Sequence, residues 1–248
     1  MYYIIDSDTY KKMGAAQLSN RLKIIEMVYR ANESHLGSAL SMVDIIEAIY
    51  QTKKMNDRFV LSAGHAVPAL YAVLATHGLL KEPDLKKLGN HPERNPQNRI
   101  DVSSGSLGQG LPIAVGMALA DRTKRVYCCS SDGECAEGSI YEALRVVVDN
   151  NLTNLTIVIN ANGYGAYKII KTEPLSKIFK GLGLQVVSVD GHNLSSLKKA
   201  INFNYKGPTI IIAKTRVDQL PFLGGISAHY YKMTEADYQL AVKKWSKN

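Results

Sequence analysis

Two short segments, Ser131-Asp-Gly-Glu134 and Asn160-Ala-Asn-Gly163, carry side chains suited to metal and phosphate chemistry, and each follows an apolar run. Asp132 and Asn162 are 30 residues apart, about one strand–helix–strand unit, a separation that brings both to one rim of a parallel sheet. A carboxylate and an amide oxygen are hard ligands suited to Mg²⁺, which takes few protein groups and fills its octahedron with phosphate oxygens and water. Gly133 permits close backbone approach, and the start of the following helix offers free N–H groups to an anion. Together these residues read as a cradle for a metal and a diphosphate. Asp132-Gly133 or Asn162-Gly163 alone is an ordinary turn former; the spacing favours the site.

The elements that must position these residues are legible from periodicity. Apolar residues at helical spacing run through Leu18, Leu22, Ile25 and Val28, and through Val43, Ile46 and Ile49. Ser41, with Asp44 three residues on, predicts a capping-box start for the second helix. Further helices are expected over Val67–Thr76, from near Leu107 through Ile113 and Met117, over Glu137–Asn150 and over Leu194–Asn202. Four runs, Arg125–Ser130, Leu155–Asn160, Leu184–Val189 and Thr209–Ala213, are short, β-rich and largely apolar, as in strands buried on both faces. Strands alternating with helices predict a doubly wound α/β fold, a mostly parallel sheet with helices on both faces. Ligands of such sheets bind outside the carboxyl ends of the strands. No repeat or linker divides the chain, so one domain over 1–248 is expected.

Composition narrows the class. With 248 residues and 46% hydrophobic content the chain can bury a core and is neither disordered nor a coiled coil. No apolar run approaches the ~18 residues of a spanning helix, so no membrane role is expected. The segment Met1–Lys12 carries Asp6 and Asp8 and lacks the apolar stretch of a signal peptide. Cys128, Cys129 and Cys135 are too clustered for a disulfide framework, which points to the cytoplasm. The net charge of +8 is spread along the chain without nucleic-acid motifs, so no nucleic-acid partner is expected. Gly105-Ser-Leu-Gly-Gln-Gly110, after a possible short strand at Ile100–Ser103, invites comparison with a dinucleotide fingerprint, but its glycines are spaced Gly-x-x-Gly-x-Gly.

Further segments carry a resemblance: Ser34-His-Leu-Gly-Ser-Ala-Leu-Ser41, Asp57-Arg-Phe-Val-Leu-Ser-Ala-Gly-His65, His91-Pro-Glu93, Ser104-Gly-Ser-Leu-Gly-Gln-Gly110, Asp132-Gly-Glu-Cys-Ala-Glu-Gly138 and Val189-Asp-Gly-His192. In this order, and with Asn162, they resemble the N-terminal, diphosphate-binding section of the transketolase family, from about Leu18 to about Pro208. The resemblance implies thiamine diphosphate as cofactor. It implies Asp132, Asn162 and the Tyr164 carbonyl as ligands to Mg²⁺ or Ca²⁺, and Gly133 and Glu134 beside the diphosphate. Gly105, Ser106 and Leu107 would meet the cofactor near its aminopyrimidine. Glu137 matches a buried acid linking paired active sites. His35, His65, His91 and His229 match imidazoles of the cofactor and substrate channel, where a histidine can move protons near neutral pH. His77 and His192 are expected to be structural.

The family's pyrimidine-binding domain has no counterpart in these 248 residues. The expectation is therefore one subunit of a split, α₂β₂ enzyme that passes a two-carbon ketol unit between sugars or sugar phosphates. A 2-oxo-acid decarboxylase or synthase subunit, or else a non-catalytic scaffold of the same fold, is the alternative. Four departures surround the expected substrate mouth: Ser131 for the first glycine of Gly-Asp-Gly, Ala63 where relatives often have lysine, a short loop after Asn162, and the stretch Thr215–Gly225.

Overall fold

A computed structural model describes residues 13–246, so Met1–Lys12 and the reading made of that segment lie outside the described residues. The chain runs α1 (Ala15–Ala31), α2 (Leu36–Tyr50), β1 (Arg58–Leu61), α3 (Val67–Thr76), α4 (Leu85–Leu88), α5 (Gly110–Ala120), β2 (Val126–Ser131) and α6 (Gly138–Asp149). It continues with β3 (Leu155–Ala161), α7 (Glu173–Gly181), β4 (Gln185–Asp190), α8 (Leu194–Asn202), β5 (Thr209–Lys214) and α9 (Glu235–Ser246). The five strands form one parallel sheet in the order β1-β2-β3-β5-β4.

Alternation along the strands divides the core, because successive side chains point to opposite faces. Phe59, Leu61, Tyr127, Cys129, Val158 and Ile211 pack with α1, α2, α3, α8 and α9. Val60, Cys128, Ile157, Ile159, Ile210 and Ile212 pack with α5, α6 and α7. Each such side chain, fully buried, contributes about 1.5–3 kcal/mol. The expected doubly wound architecture is present. All three cysteines are buried.

Some element boundaries differ from expectation. α2 begins at Leu36 behind His35, not at Ser41, which lies inside the helix and donates its hydroxyl to the Ser38 carbonyl at 2.9 Å. All 15 residues of α2 are buried, and a helix enclosed all round has no polar face to mark its limits. Asp44, expected in a capping box, is instead in a buried network: Arg21 grips it through Nη1 and Nη2 at 2.9 and 2.6 Å. Burial raises the Asp44 carboxyl, but the guanidinium outweighs this and holds it below the usual carboxylate range. Ile100–Ser103 is not a strand; Ile100 makes only an isolated bridge to Asn95. α5 starts at Gly110 rather than near Leu107. Among the described residues, no helix is long and apolar enough to cross a membrane.

Candidate functional site

The sheet order brings the carboxyl ends of β1, β2 and β3 side by side, and the polar segments follow those ends. Asp132, directly after β2, is 1% exposed. Its Oδ1 accepts the Gly133 N–H at 2.9 Å and its Oδ2 the Gly163 N–H at 2.7 Å. The second bond crosses from the β2 end to the β3 end and fixes the two loops together. Burial pushes the Asp132 carboxyl up to about 7 despite these donors, because a low-dielectric setting penalises the ionised form. Asn162 turns its Oδ1 to the Tyr164 N–H at 2.9 Å, an Asx-type turn. Tyr164 faces Ile169 in an isolated antiparallel bridge whose two bonds run Gly165 N–H to Lys168 O and Ile170 N–H to Gly163 O, both 2.9 Å. Neither bond uses the Tyr164 carbonyl.

This donor set fits a hard divalent cation: one carboxylate, one amide oxygen and one peptide oxygen, all on neighbouring loops. A Cβ at Gly133 would meet only Gly165 Cα at 3.6 Å and Ser131 Oγ at 3.8 Å, both ordinary contacts. The packing of the chain itself thus makes no demand for glycine there, and the bare backbone leaves the rim open to an anion. Ser131 is buried in ordinary strand backbone, without the positive φ that would require glycine. Its N–H donates to Glu134 Oε2 at 2.9 Å and its hydroxyl accepts the Glu134 N–H at 3.3 Å.

Glu134 follows Gly133 in the turn after β2. It is fully enclosed, and its Oε1 also accepts the Ser62 hydroxyl at 2.6 Å and the Gly108 N–H at 2.9 Å. Burial raises its carboxyl. In this geometry the carboxylate holds the Ser104–Gln109 loop through the Gly108 N–H. Gly108 adopts φ +77°, and a Cβ there would fall 2.5 Å from Ser139 Oγ. Within the loop, Leu107 is exposed, while Gly105 lies so close to the His91 ring that a Cβ would come within 2.8 Å of it. Ser106 is exposed beside it. Glu137, expected to be buried, is half-exposed in this chain and stands at the N-cap of α6.

Three of the four selected histidines share one cluster. His35 and His229 have ring centroids 4.6 Å apart, His35 and His65 5.5 Å, and His65 and His229 5.6 Å. His35 holds a left-handed backbone, φ 66°, at the N-cap of α2, and its N–H donates to the His229 carbonyl at 3.1 Å. A non-glycine residue in that region carries strain, and such residues concentrate at functional sites. His65 sits in a 3-10 turn just past β1. Burial, then the neighbouring imidazoles, lower His35 to about 4 and His65 to about 3; burial also lowers His229. His91 is exposed against Gly105 at the edge of the cluster. A groove lined by Ser38, Asn162, Tyr164, Val217 and His229 runs between Asn162 of the rim and His229 of the cluster. A second hollow, lined by Arg125, Tyr205 and Thr209 among others, lies at the amino ends of the strands and gathers no comparable set.

His77 and His192 are structural, as expected. His77 Nε2 lies 3.2 Å from buried Glu47. His192 Nε2 accepts the Arg216 N–H at 3.0 Å, so the ring proton is on Nδ1, 2.8 Å from Asp44 Oδ2. Sequence reasoning missed Ser41, Ser62 and Asn160, which support the site. Their only signal was polarity inside apolar runs.

Comparison with known proteins accords with this geometry. The family model "Transketolase, thiamine diphosphate binding domain" matches residues 14–247. Transketolase of Homo sapiens is 34% identical over 235 residues, covering 84% of this chain and 38% of that protein. The chain thus spans well under half the length of such full-length relatives. An apulose-4-phosphate transketolase subunit of Phocaeicola vulgatus is 29% identical, with 92% of this chain and 91% of that one covered. The crystal structure of transketolase from Campylobacter jejuni superposes with a TM-score of 0.81 at 26% identity, over 94% of this chain and 43% of that one. By the family model that matches residues 14–247, and by its sheet, the chain belongs to the transketolase family.

Proposed function

We propose that this chain is the diphosphate-binding subunit of a split transketolase, moving a two-carbon ketol unit from a ketose or ketose-phosphate donor to an aldose acceptor. The observation that carries the reading is one groove lined by both Asn162, whose loop Asp132 holds through the Gly163 N–H, and His229, which clusters with His35 and His65. In this reading Asp132, Asn162 and the Tyr164 carbonyl hold Mg²⁺, the Gly133 N–H meets the diphosphate, and the backbone of Gly105–Leu107 faces the aminopyrimidine. Thiamine diphosphate, when bound, supplies the nucleophilic carbon that cleaves the ketose C–C bond. His35 engages Ser34 through Nδ1 at 3.0 Å, which leaves Nε2 to take a proton from a sugar hydroxyl and return it. With His35 and His65 lowered to about 4 and about 3, both are neutral at pH 7, and each is a weaker base than a free imidazole. Their N–H groups can also donate to an oxygen that gains charge in the transition state.

A separate pyrimidine-binding chain completes the enzyme in this reading, as an α₂β₂ assembly. Two features support it: the near full-length likeness to a protein that is itself named as one subunit of a transketolase, and the exposure of Leu107, Ile113 and Leu119 on and beside α5. In this reading the described residues, 13–246, form one domain, with Glu137 half-exposed where a second chain could enclose it. A cytoplasmic site of action is supported by three buried, unpaired cysteines. The test is reconstitution with a pyrimidine-domain partner, thiamine diphosphate and Mg²⁺. Ketol transfer from a ketose without CO₂ release is expected with both chains present and essentially none with this chain alone. CO₂ release from a 2-oxo acid, or turnover by this chain unaided, would overturn the reading.

A further inference from the structure

Ser41 lies in the middle of α2, is 0% exposed, and no motif assigns it a role. Its hydroxyl donates to the Ser38 carbonyl at 2.9 Å. A serine hydroxyl has one proton and two lone pairs, so with that proton committed the oxygen can only accept from its other neighbours. Those neighbours are the side-chain amides of Asn160, at 2.9 Å, and Asn162, at 3.3 Å. Both must therefore turn Nδ2 towards Ser41. For Asn160 the arrangement closes on itself, because its Oδ1 accepts the Thr215 hydroxyl. For Asn162 it directs Oδ1 away from α2, to the side where it meets the Tyr164 N–H.

We propose that Ser41 is a positioning residue that selects which face of the Asn162 amide meets the divalent cation. This rests on the reading of Asp132 and Asn162 as cation ligands. An amide rotated by half a turn would present its NH₂ group, a donor, to a cation that needs an oxygen. The Tyr164 N–H favours the same face, and Ser41 adds the constraint from the buried side. Without the Ser41 oxygen, the buried Asn160 amide and the half-buried Asn162 amide lose an acceptor, and Asn162 is held in register by the Tyr164 N–H alone.

The test is calorimetric titration of Mg²⁺ into the full chain held in excess thiamine diphosphate. Groups that orient metal ligands typically change affinity 10- to 100-fold when removed, so Ser41→Ala should raise the Mg²⁺ dissociation constant by about that factor. Ser41→Thr, which keeps the oxygen, should stay within about threefold of the unsubstituted chain on the same basis. In an Asn162→Asp background both side-chain oxygens are alike, so orientation no longer matters. Adding Ser41→Ala there should change affinity by less than about threefold, although a merely structural loss would persist. If Ser41→Ala does not fold, by circular dichroism, Ser41→Cys with its weakly accepting thiol takes its place and the same loss is expected. Unchanged affinity in Ser41→Ala or Ser41→Cys, or an equal loss in both backgrounds, overturns the inference alone. Absence of Mg²⁺-dependent binding by the unsubstituted chain, with or without a partner chain, overturns both it and the functional reading beneath it.

Discussion

The Asp132–Asn162 rim and the histidine cluster are neighbours built in different ways. The rim stands on adjacent strand ends and is tied by short-range bonds, Asp132 to Gly163 and Asn162 to Tyr164. The cluster gathers His35, His65 and His229 from remote stretches of chain, joined by ring contacts and by the bond from His35 N–H to the His229 carbonyl. In the proposed function the rim is an anchor, which needs fixed oxygens, and the cluster handles protons. One burial effect acts on both, raising an acid in the first and lowering bases in the second.

The largest expected effect separates binding from turnover. Asp132→Ala should abolish thiamine diphosphate and Mg²⁺ binding by calorimetry while leaving the circular dichroism spectrum intact, because it removes the one carboxylate of the ligand set. Retained affinity would erase the distinction between anchor and cluster. Next comes His65→Ala in the reconstituted enzyme. Loss of a proton-transfer group typically costs about 10²–10⁴ in rate, so kcat should fall in that range with cofactor affinity nearly unchanged. A variant that loses affinity instead would move His65 to the anchor.

The pH dependence of the metal-free protein sharpens the contrast because the two regions have opposite signs. Below pH 6.5 an unfolded chain protonates its histidines, whereas folded His35 and His65 resist until about 4 and about 3. The cluster's contribution to stability is therefore full above pH 6.5 and is lost as pH falls towards those values. Asp132, raised from 3.8 to about 7, behaves inversely: its contribution is full below 3.8 and is lost as pH rises through 7. Urea midpoints in the presence of a chelator should show this. Between pH 5 and 7, Asp132→Asn should make stability rise more steeply with pH, and His65→Ala should make it rise less steeply. A common direction for both variants would contradict the assigned burial. The smallest effect is expected of Ser131→Gly. Introducing glycine into a strand costs about 0.5–1 kcal/mol, and the Ser131 hydroxyl bond to the Glu134 N–H is lost with it. Thermal denaturation should register a small decrease; a large stabilisation would mean that the serine strains the turn.

The parts of this arrangement that sequence could reveal were those with a repeating or paired signal. Four strands were legible as apolar β-rich runs, and α3 and α8 span the expected Val67–Thr76 and Leu194–Asn202. The Asp132–Asn162 pairing followed from strand–helix–strand spacing. β1 was seen only as part of a motif, because four residues give too short a pattern. The start of α2 was misplaced because Ser41 and Asp44 look like a capping pair when read locally. Their partners, Asn160, Asn162, Arg21 and His192, are remote in sequence. α7 and α9 were not anticipated. For the stretch Thr215–Gly225, expected to depart from the family's pattern, the fold shows what it does: Val217, Leu220 and Leu223 are buried, and Gln219 bonds Arg21 and the Leu40 carbonyl. Those contacts tie the segment leading to His229 onto α2.

His35 opens α2 and Ser41 follows six residues later, about 9 Å along the axis at ~1.5 Å per residue. A single rigid rod thus touches the histidine cluster at its tip and the anchor along its flank. Mutations that tilt or slide this rod would alter coenzyme retention and catalytic turnover in concert, and selection could not easily tune one without the other. His91, mounted on an exposed loop against Gly105, lies outside that coupling.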